Sequence, residues 1–473
     1  MTTSGEEQVR RLFAAATSAP MDDRALSIGS DVEIANCMLE SLTMEFGQIV
    51  HAEGEFWRFS KTNWEKISQS DLRILVHKFD GKKYFFNGGK QGIVKLSRSR
   101  IDSILHEAAA ISAAMGFFDS PEIGINCTSG FIKFYDDGTP VLWPHKPEHR
   151  QRHVLAGRWS ALASPTPPTT SLLARLLGGV FQGDEDAGQK GAFIAEVCAS
   201  AALGYACRLP QPRAVILHGA TAENGKSQIL ELARGLLPAS TVCSIPAGKL
   251  EDDRHVIGLA GKLLNAADEL NVEAMAADKF KTIVTGDPVD GRDVYKSRVE
   301  FRPTAQHIFA TNVLPSFKGG IDRGVRRRLA IVAFNRTVPP ERRIARIGRL
   351  IAEKEMDIVL AWAVGAASRL IKNKGFTIPL SSKQALHDWM HSVDPTLGWI
   401  EARTRQRTKD DVQEPLRVNA AFNDFKIWAP EEGFRLHNLP SIGNFVQRVR
   451  ANAPSADWRK TTGNPCFHGI LLK

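Results

Sequence analysis

Lys226 and Ser227 stand directly after Gly225 in the segment GATAENGKS (219–227). A lysine and a hydroxyl behind a glycine at the mouth of a helix suit phosphate chemistry. Backbone N–H groups and the helix N-terminus can cradle a β-phosphate, the ammonium reaches the β- and γ-phosphates, and the hydroxyl ligates Mg²⁺. That arrangement needs a strand before the loop and a helix after it. AVILH (214–218) is an apolar run expected of a buried strand, and Ser227–Leu236 has helical spacing. The pattern G-x-x-x-x-G-K-[ST] asks for glycine at position 220, where this chain has Ala220; its glycine is one residue earlier, Gly219. Gly219, Glu223, Asn224, Gly225, Lys226, Ser227 and Gln228 are therefore the candidate nucleotide-binding residues.

Two further groups complete a hydrolytic set. KLLNAADE (262–269) reads as a second buried strand that ends in Asp268 and Glu269. Asp268, with Ser227, is placed to hold Mg²⁺, and Glu269 to polarise the attacking water. AQHIFATN (305–312) reads as a third strand, closed by Asn312, whose amide can orient that water. Strands alternating with helices predict a parallel α/β core.

Charge is concentrated downstream. Lys279–Arg336 holds twelve Lys or Arg against five Asp or Glu, including the run DRGVRRRL (322–329). A basic segment containing Tyr295 next to Lys296 offers phosphate neutralisation and base stacking, both tolerant of sequence. Over the whole chain of 473 residues the net charge is +9, which favours a polyanionic partner.

The segment 279–312 resembles the superfamily 3 helicases of phages, plasmids and DNA viruses. Those proteins show F-K-x-x-x-T-G-D, an arginine, a Y-K hairpin and a strand ending in A-T-N. The corresponding residues are Phe280, Lys281, Thr285, Gly286, Asp287, Arg292, Tyr295, Lys296 and Asn312. DRGVRRRL resembles the element that supplies an arginine finger to the neighbouring subunit. Within that superfamily the chain is most similar to the phage/plasmid primase–helicases, related to the poxvirus primase–helicase. GFIKFYDDGTPVLWPHKPEHR (130–150), AFNDFKIWAPEEGF (421–434) and FHGILL (467–472) extend the resemblance outward.

The resemblance implies an AAA+ P-loop ATPase core, a helical collar and a C-terminal winged helix, following a mixed α+β N-terminal region. It implies a homo-oligomer, a hexameric ring with ATP between subunits, moving 3′→5′ on single-stranded or forked DNA. It implies catalytic roles for Lys226, Glu269, Asn312 and either Arg327 or Arg328, and DNA contacts from Lys281, Arg292, Tyr295 and Lys296. A separate primase or replication initiator is a further expected partner, because residues 1–200 hold no convincing primase framework.

The domains expected are an N-terminal region of unclear type (1–110), a helicase-associated and helical region (111–209), the ATPase core (210–338), a helical segment (339–405) and a winged-helix-like end (406–473). Within them, Met44–Trp64 reads as short strands, Ile101–Met115 as a helix, Gly130–Val141 as a hairpin around Asp136-Asp137-Gly138, and Ser171–Arg208 as two helices. The last sixty residues read as helices Leu416–Trp428 and Ser441–Ala451, then strands Trp458–Thr461 and Cys466–Leu472; a winged helix has that order, and so does any small α+β cap.

Other constellations read as structural. The six cysteines lack C-x-x-C pairing and are expected to be reduced thiols of a soluble cytoplasmic protein with no membrane segment. Asp184 and Asp186 have D-x-D spacing but lie in a polar stretch expected to be a solvated loop. His145, His149 and His153 lie four apart, yet Pro144 and Pro147 interrupt any helix that would align them as metal ligands. Trp389, Trp399 and Trp428 read as core.

Three functions fit the phosphate loop: a replicative helicase, an ATP-driven origin-binding, melting or loading protein without processive unwinding, and a small-molecule kinase. The basic hairpin and the arginine cluster argue against the kinase.

Overall fold

The computed structural model describes residues 26–86, 90–268, 275–292, 299–315, 317–318, 321–453 and 455–473. The chain forms two compact units, residues 1–132 with 142–154, and residues 133–141 with 155–473.

In the first unit, helices Asp31–Phe46, Gln69–His77 and Arg98–Ile111 begin at Ser30, Ser68 and Ser97. Each serine hydroxyl accepts a backbone N–H of its first turn. Their buried faces, including Ile34, Met38, Leu72, Val76 and Ile104, form one core. Strands Ile49–Ala52, Glu55–Phe59 and Trp64–Lys66 pair antiparallel. The expected strand region thus begins at Ile49, because Met44–Phe46 still belongs to the preceding helix.

The second unit is built on a five-stranded, wholly parallel sheet. Its strands in chain order are Ala214–His218, Val242–Cys243, Leu264–Ala267, Gln306–Thr311 and Leu329–Ala333; across the sheet the order is second, third, fourth, first, fifth. The first, third and fourth strands carry continuous buried runs, as parallel strands covered on both faces require. The first strand lies between the fourth and the fifth; its connection runs to the second strand at one edge, whereas the connection of the adjacent fourth strand runs past it to the fifth at the other, so the two depart in opposite directions from the C-terminal ends. Such a switch point opens a crevice for ligands.

Helix Lys226–Leu236 follows the first strand. Upstream, helices Leu172–Val180 and Ala187–Ala202 occupy the stretch expected to hold two. Downstream come Ile347–Lys354, Met356–Asn373, Leu380–Val393 and Pro395–Arg403.

The C-terminal elements gather around Trp399, Phe425, Phe445 and Phe467, each fully buried. Helices Val418–Glu431 and Ile442–Asn452 precede strands Asp457–Thr461 and Asn464–His468. The expected last strand is divided at Gly469. This residue has φ +90°, and a Cβ there would collide with the Ser455 carbonyl. Beyond it, Ile470–Leu472 turns to pair with Thr404–Gln406 instead of continuing the hairpin. Trp389 and Trp399 are buried in core clusters, and Trp428 packs half-buried against one. Among the described residues no helix is long and apolar enough to cross a membrane.

Candidate functional site

The loop 219–225 leaves the C-terminal end of the central strand and enters helix Lys226–Leu236 through Gly225. Gly225 has φ +90°, and a Cβ there would strike the Val180 side chain. Two constraints therefore select glycine, left-handed backbone and close packing. Gly219 is buried, and a Cβ on it would meet the Asn224 amide and lie 2.7 Å from the Phe334 carbonyl oxygen. Ala220 is exposed. The displaced glycine thus has a local cause, because the tight approach falls at 219 and none at 220. Asn224 is buried and donates to the Thr221 carbonyl at 2.7 Å, which braces the loop from inside.

Lys226 is 8% exposed. Its ammonium donates to the carbonyl oxygens of Gly219 (2.8 Å) and Thr221 (3.4 Å) and to the side-chain oxygen of Asn312 (2.9 Å). Burial depresses its pKa, since a drier setting disfavours the charge. Three neutral acceptors are weak compensation for a buried cation, so an anion at this position would be strongly favoured.

A cavity of about 730 Å³ opens over the first turn of this helix. Its lining includes Glu223, Asn224, Gly225, Lys226, Ser227 and Gln228, and six cations in all against two carboxylates, Glu223 and Glu341. Five of those cations are arginines outside the loop: Arg175, Arg336, Arg342, Arg343 and Arg346. None was singled out from the sequence, although four cluster in RTVPPERRIAR (336–346). Arg343 pairs with Glu223 at 2.6 Å, and the Glu223 carbonyl accepts the Val338 N–H at 3.0 Å, so this segment is fastened to the loop. Gln228 also faces the far wall, accepting the Gly348 N–H at 3.1 Å.

Asp184 and Asp186 are not a solvated pair. They flank the fully buried Lys190, 2.8 Å and 3.9 Å from its ammonium, which also donates to the Ala333 carbonyl at 2.9 Å. The sequence conceals this because Lys190 lies on the inward face of its helix, between exposed and half-exposed neighbours. The ion pairs tie the loop after Val180 to the end of the fifth strand.

Ser227 is exposed at the helix start. Asp268 lies at the end of the third strand, but both terminal nitrogens of Arg234 donate to its carboxylate at 3.1 Å, and it does not line the cavity. Glu269, Tyr295 and Lys296 lie outside the described residues.

Lys281 is held at 2.7 Å by Asp278 and 2.8 Å by Asp322, and hydrogen bonds to those two carboxylates, Asp278 first, raise its pKa. Asp322 in turn caps the short helix Arg323–Arg326 by accepting the Val325 N–H at 2.7 Å. Lys281 therefore anchors the arginine element. Arg292 is exposed at the end of strand Val289–Gly291. The Thr285-Gly286-Asp287 sequence closes helix Ala277–Thr285: Gly286 is left-handed, and the Thr285 hydroxyl donates to Asp287 at 2.7 Å.

Arg327 is exposed and, with Arg323, Arg326, Arg213 and Lys383, lines a second cavity of about 570 Å³. This cavity shares no lining residue with the first. Arg328 is half-buried and donates to the Gly324 carbonyl at 3.0 Å.

The three spaced histidines do not converge. His145 hydrogen-bonds Asn126, His149 stacks on Phe131 at 4.1 Å, and burial holds the His153 pKa down to about 4.

Compared with known proteins, residues 217–328 match a family of unknown function, DUF5906. No curated protein matches the chain. Solved structures similar to it include two of the NrS-1 C terminal region. The A form apo structure is 12% identical, with 92% of this chain and 99% of that chain covered at a TM-score of 0.47. The apo structure of residues 305–718 is 14% identical, with 92% and 98% covered at a TM-score of 0.49.

Proposed function

We propose that the chain is an ATP-dependent DNA helicase or translocase acting in replication of a prophage, plasmid or similar mobile element. The observation that carries this reading is the buried Lys226 at the entrance of helix Lys226–Leu236, facing a cation-rich cavity at the switch point of a parallel sheet. The cavity volume is that of a ligand site, and its charge suits a polyphosphate. ATP would lay its phosphates on the N–H groups of the loop 219–227. Lys226 would exchange its three neutral acceptors for phosphate oxygens, and the nearby arginines would neutralise the rest.

Ser227 fits a Mg²⁺ ligand, being exposed at the first turn of the helix. Asp268 fits less well, because service to a metal-bound water has to compete with Arg234. Glu269 is the proposed base for water and Asn312 its orienting amide. Arg327 sits in a separate cavity from Lys226, which suits an arginine acting on a neighbouring subunit's nucleotide in a ring. Superfamily 3 membership, hexameric assembly, 3′→5′ movement, the collar and the winged helix belong to this proposal, as do DNA contacts by Lys281, Arg292, Tyr295 and Lys296.

The second reading, ATP-driven origin melting or loading, uses the same residues. Strand displacement on a forked duplex separates the two. The helicase reading expects displacement with ATP and Mg²⁺ and none with a non-hydrolysable analogue. ATP hydrolysis without displacement on any fork would favour the second.

A further inference from the structure

His387 and His391 lie one turn apart on helix Leu380–Val393, so both project from one face. Their rings stack with centroids 4.2 Å apart. Glu401, on helix Pro395–Arg403, places one carboxylate oxygen 3.0 Å from His387 Nε2 and the other 3.5 Å from His391 Nε2. The three ligand atoms all lie within 4.8 Å of one another. We propose that His387, His391 and Glu401 form a Zn²⁺ site that pins these two helices together, with water as the fourth ligand.

The spacing fits the chemistry. Tetrahedral zinc with bonds of about 2.0–2.1 Å separates neighbouring ligand atoms by roughly 3.3 Å. One Glu401 oxygen lies 3.0 Å from His387 and the other 3.5 Å from His391, so a small turn of the carboxylate presents a single oxygen to both rings. Two imidazoles and a carboxylate are a donor set for zinc and neighbouring transition ions rather than for Ca²⁺ or Mg²⁺.

The outer groups fit as well. His387 Nδ1 lies 3.4 Å from Asp388, and Asp388 accepts a 2.7 Å hydrogen bond from Gln384. This is the carboxylate–histidine arrangement that fixes a ligand ring and leaves Nε2 free for the metal. The site is reachable from solvent, since the three side chains are 24–60% exposed. Against it stands the positive charge of Arg326, which bears on His391. Without a metal, Glu401 could instead accept one hydrogen bond from each ring.

The placement gives the site a consequence. His387 also lines the cavity of Arg323, Arg326 and Arg327. A zinc ion joining the two helices would stiffen the wall beside that arginine cluster.

The test uses the full chain, stripped with a chelator and equilibrated with Zn²⁺ against a competing indicator. One zinc per chain is expected. His391→Ala and Glu401→Gln should each lose it, and Asp388→Asn should weaken binding ten- to a hundredfold. His437→Ala, an exposed histidine outside the cluster, should change nothing. Circular dichroism in chelator should be the same for every variant, which separates a lost ligand from a lost fold. Co²⁺ in place of zinc should give the visible bands of a tetrahedral site, lost in His391→Ala. Failure of the native chain to retain zinc, or retention undiminished in both ligand variants, would overturn the site.

Discussion

The ammonium of Lys226 lies 2.9 Å from the side-chain oxygen of Asn312, which joins the helix after the first strand to the end of the fourth across 86 residues of sequence. Asn312 is thus a positioning residue for the lysine as well as a candidate to orient water. Asn312→Ala should leave the dissociation constant of a fluorescent ATP analogue within about threefold. It should lower steady-state phosphate release by about a hundredfold, the scale of removing one preorganised polar group from an active site. Asn312→Asp would place an anion beside Lys226 and should weaken nucleotide binding instead.

Gly219 and Ala220 give an opposed pair of expectations. Gly219→Ala forces a Cβ against Asn224 and the Phe334 carbonyl, so it should cost about 1–3 kcal/mol of stability and weaken ATP binding. Ala220→Gly restores the usual motif at an exposed position and should leave ATPase within about twofold. Melting curves and nucleotide titrations of the two variants check this. A loss in Ala220→Gly equal to that in Gly219→Ala would contradict the packing described.

Arg327 and Arg328 are separable by environment. Arg327 faces a cavity, whereas Arg328 is tied to Gly324. Arg327→Ala should keep ATP binding and lower turnover by about 10³-fold or more. Mixed with Lys226→Ala, it should regain part of the activity through shared sites. Arg328→Ala should lower the melting temperature and regain nothing on mixing.

His307 predicts an acid-sensitive core. It is fully buried in the fourth strand beside Asn265, and burial depresses its pKa from 6.5 to about 4. The unfolded chain therefore binds more protons between these values. The stability held by the neutral ring is complete above pH 6.5 and is lost as pH falls from 6.5 to 4, by about 3 kcal/mol at roughly 1.36 kcal/mol per unit. Urea midpoints followed by tryptophan fluorescence at pH 7 and pH 5 should fall less for His307→Gln than for the parent. An equal fall in both would remove His307 as a source of the acid sensitivity.

Three strands of the sheet were legible because they are short apolar runs, and the turn into helix Lys226–Leu236 because AVILH leads straight into GATAENGKS; the strands Val242–Cys243 and Leu329–Ala333 were not. The arginine wall was not, since Arg336, Arg342 and Arg343 reach the cavity through a loop whose path depends on the Glu223–Arg343 pair and on Val338. The family resemblance implies a DNA contact for Lys281. Its two carboxylate partners include Asp322, forty-one residues away, a pairing no local pattern reveals. The split at Gly469 was hidden for the same reason, its cause being the Ser455 carbonyl. The Lys190 pairs are local in sequence and were hidden instead by the burial of that face of the helix.

We propose that Lys226 serves the hydrolysed nucleotide of an ATP-driven motor on DNA. Steady-state phosphate release by the full chain and by Lys226→Ala, each with and without single-stranded DNA, tests it most directly. The account predicts Mg²⁺-dependent hydrolysis by the parent that rises when DNA is added, and a loss of about 10²-fold or more in the variant under both conditions. Turnover by Lys226→Ala close to that of the parent would contradict it.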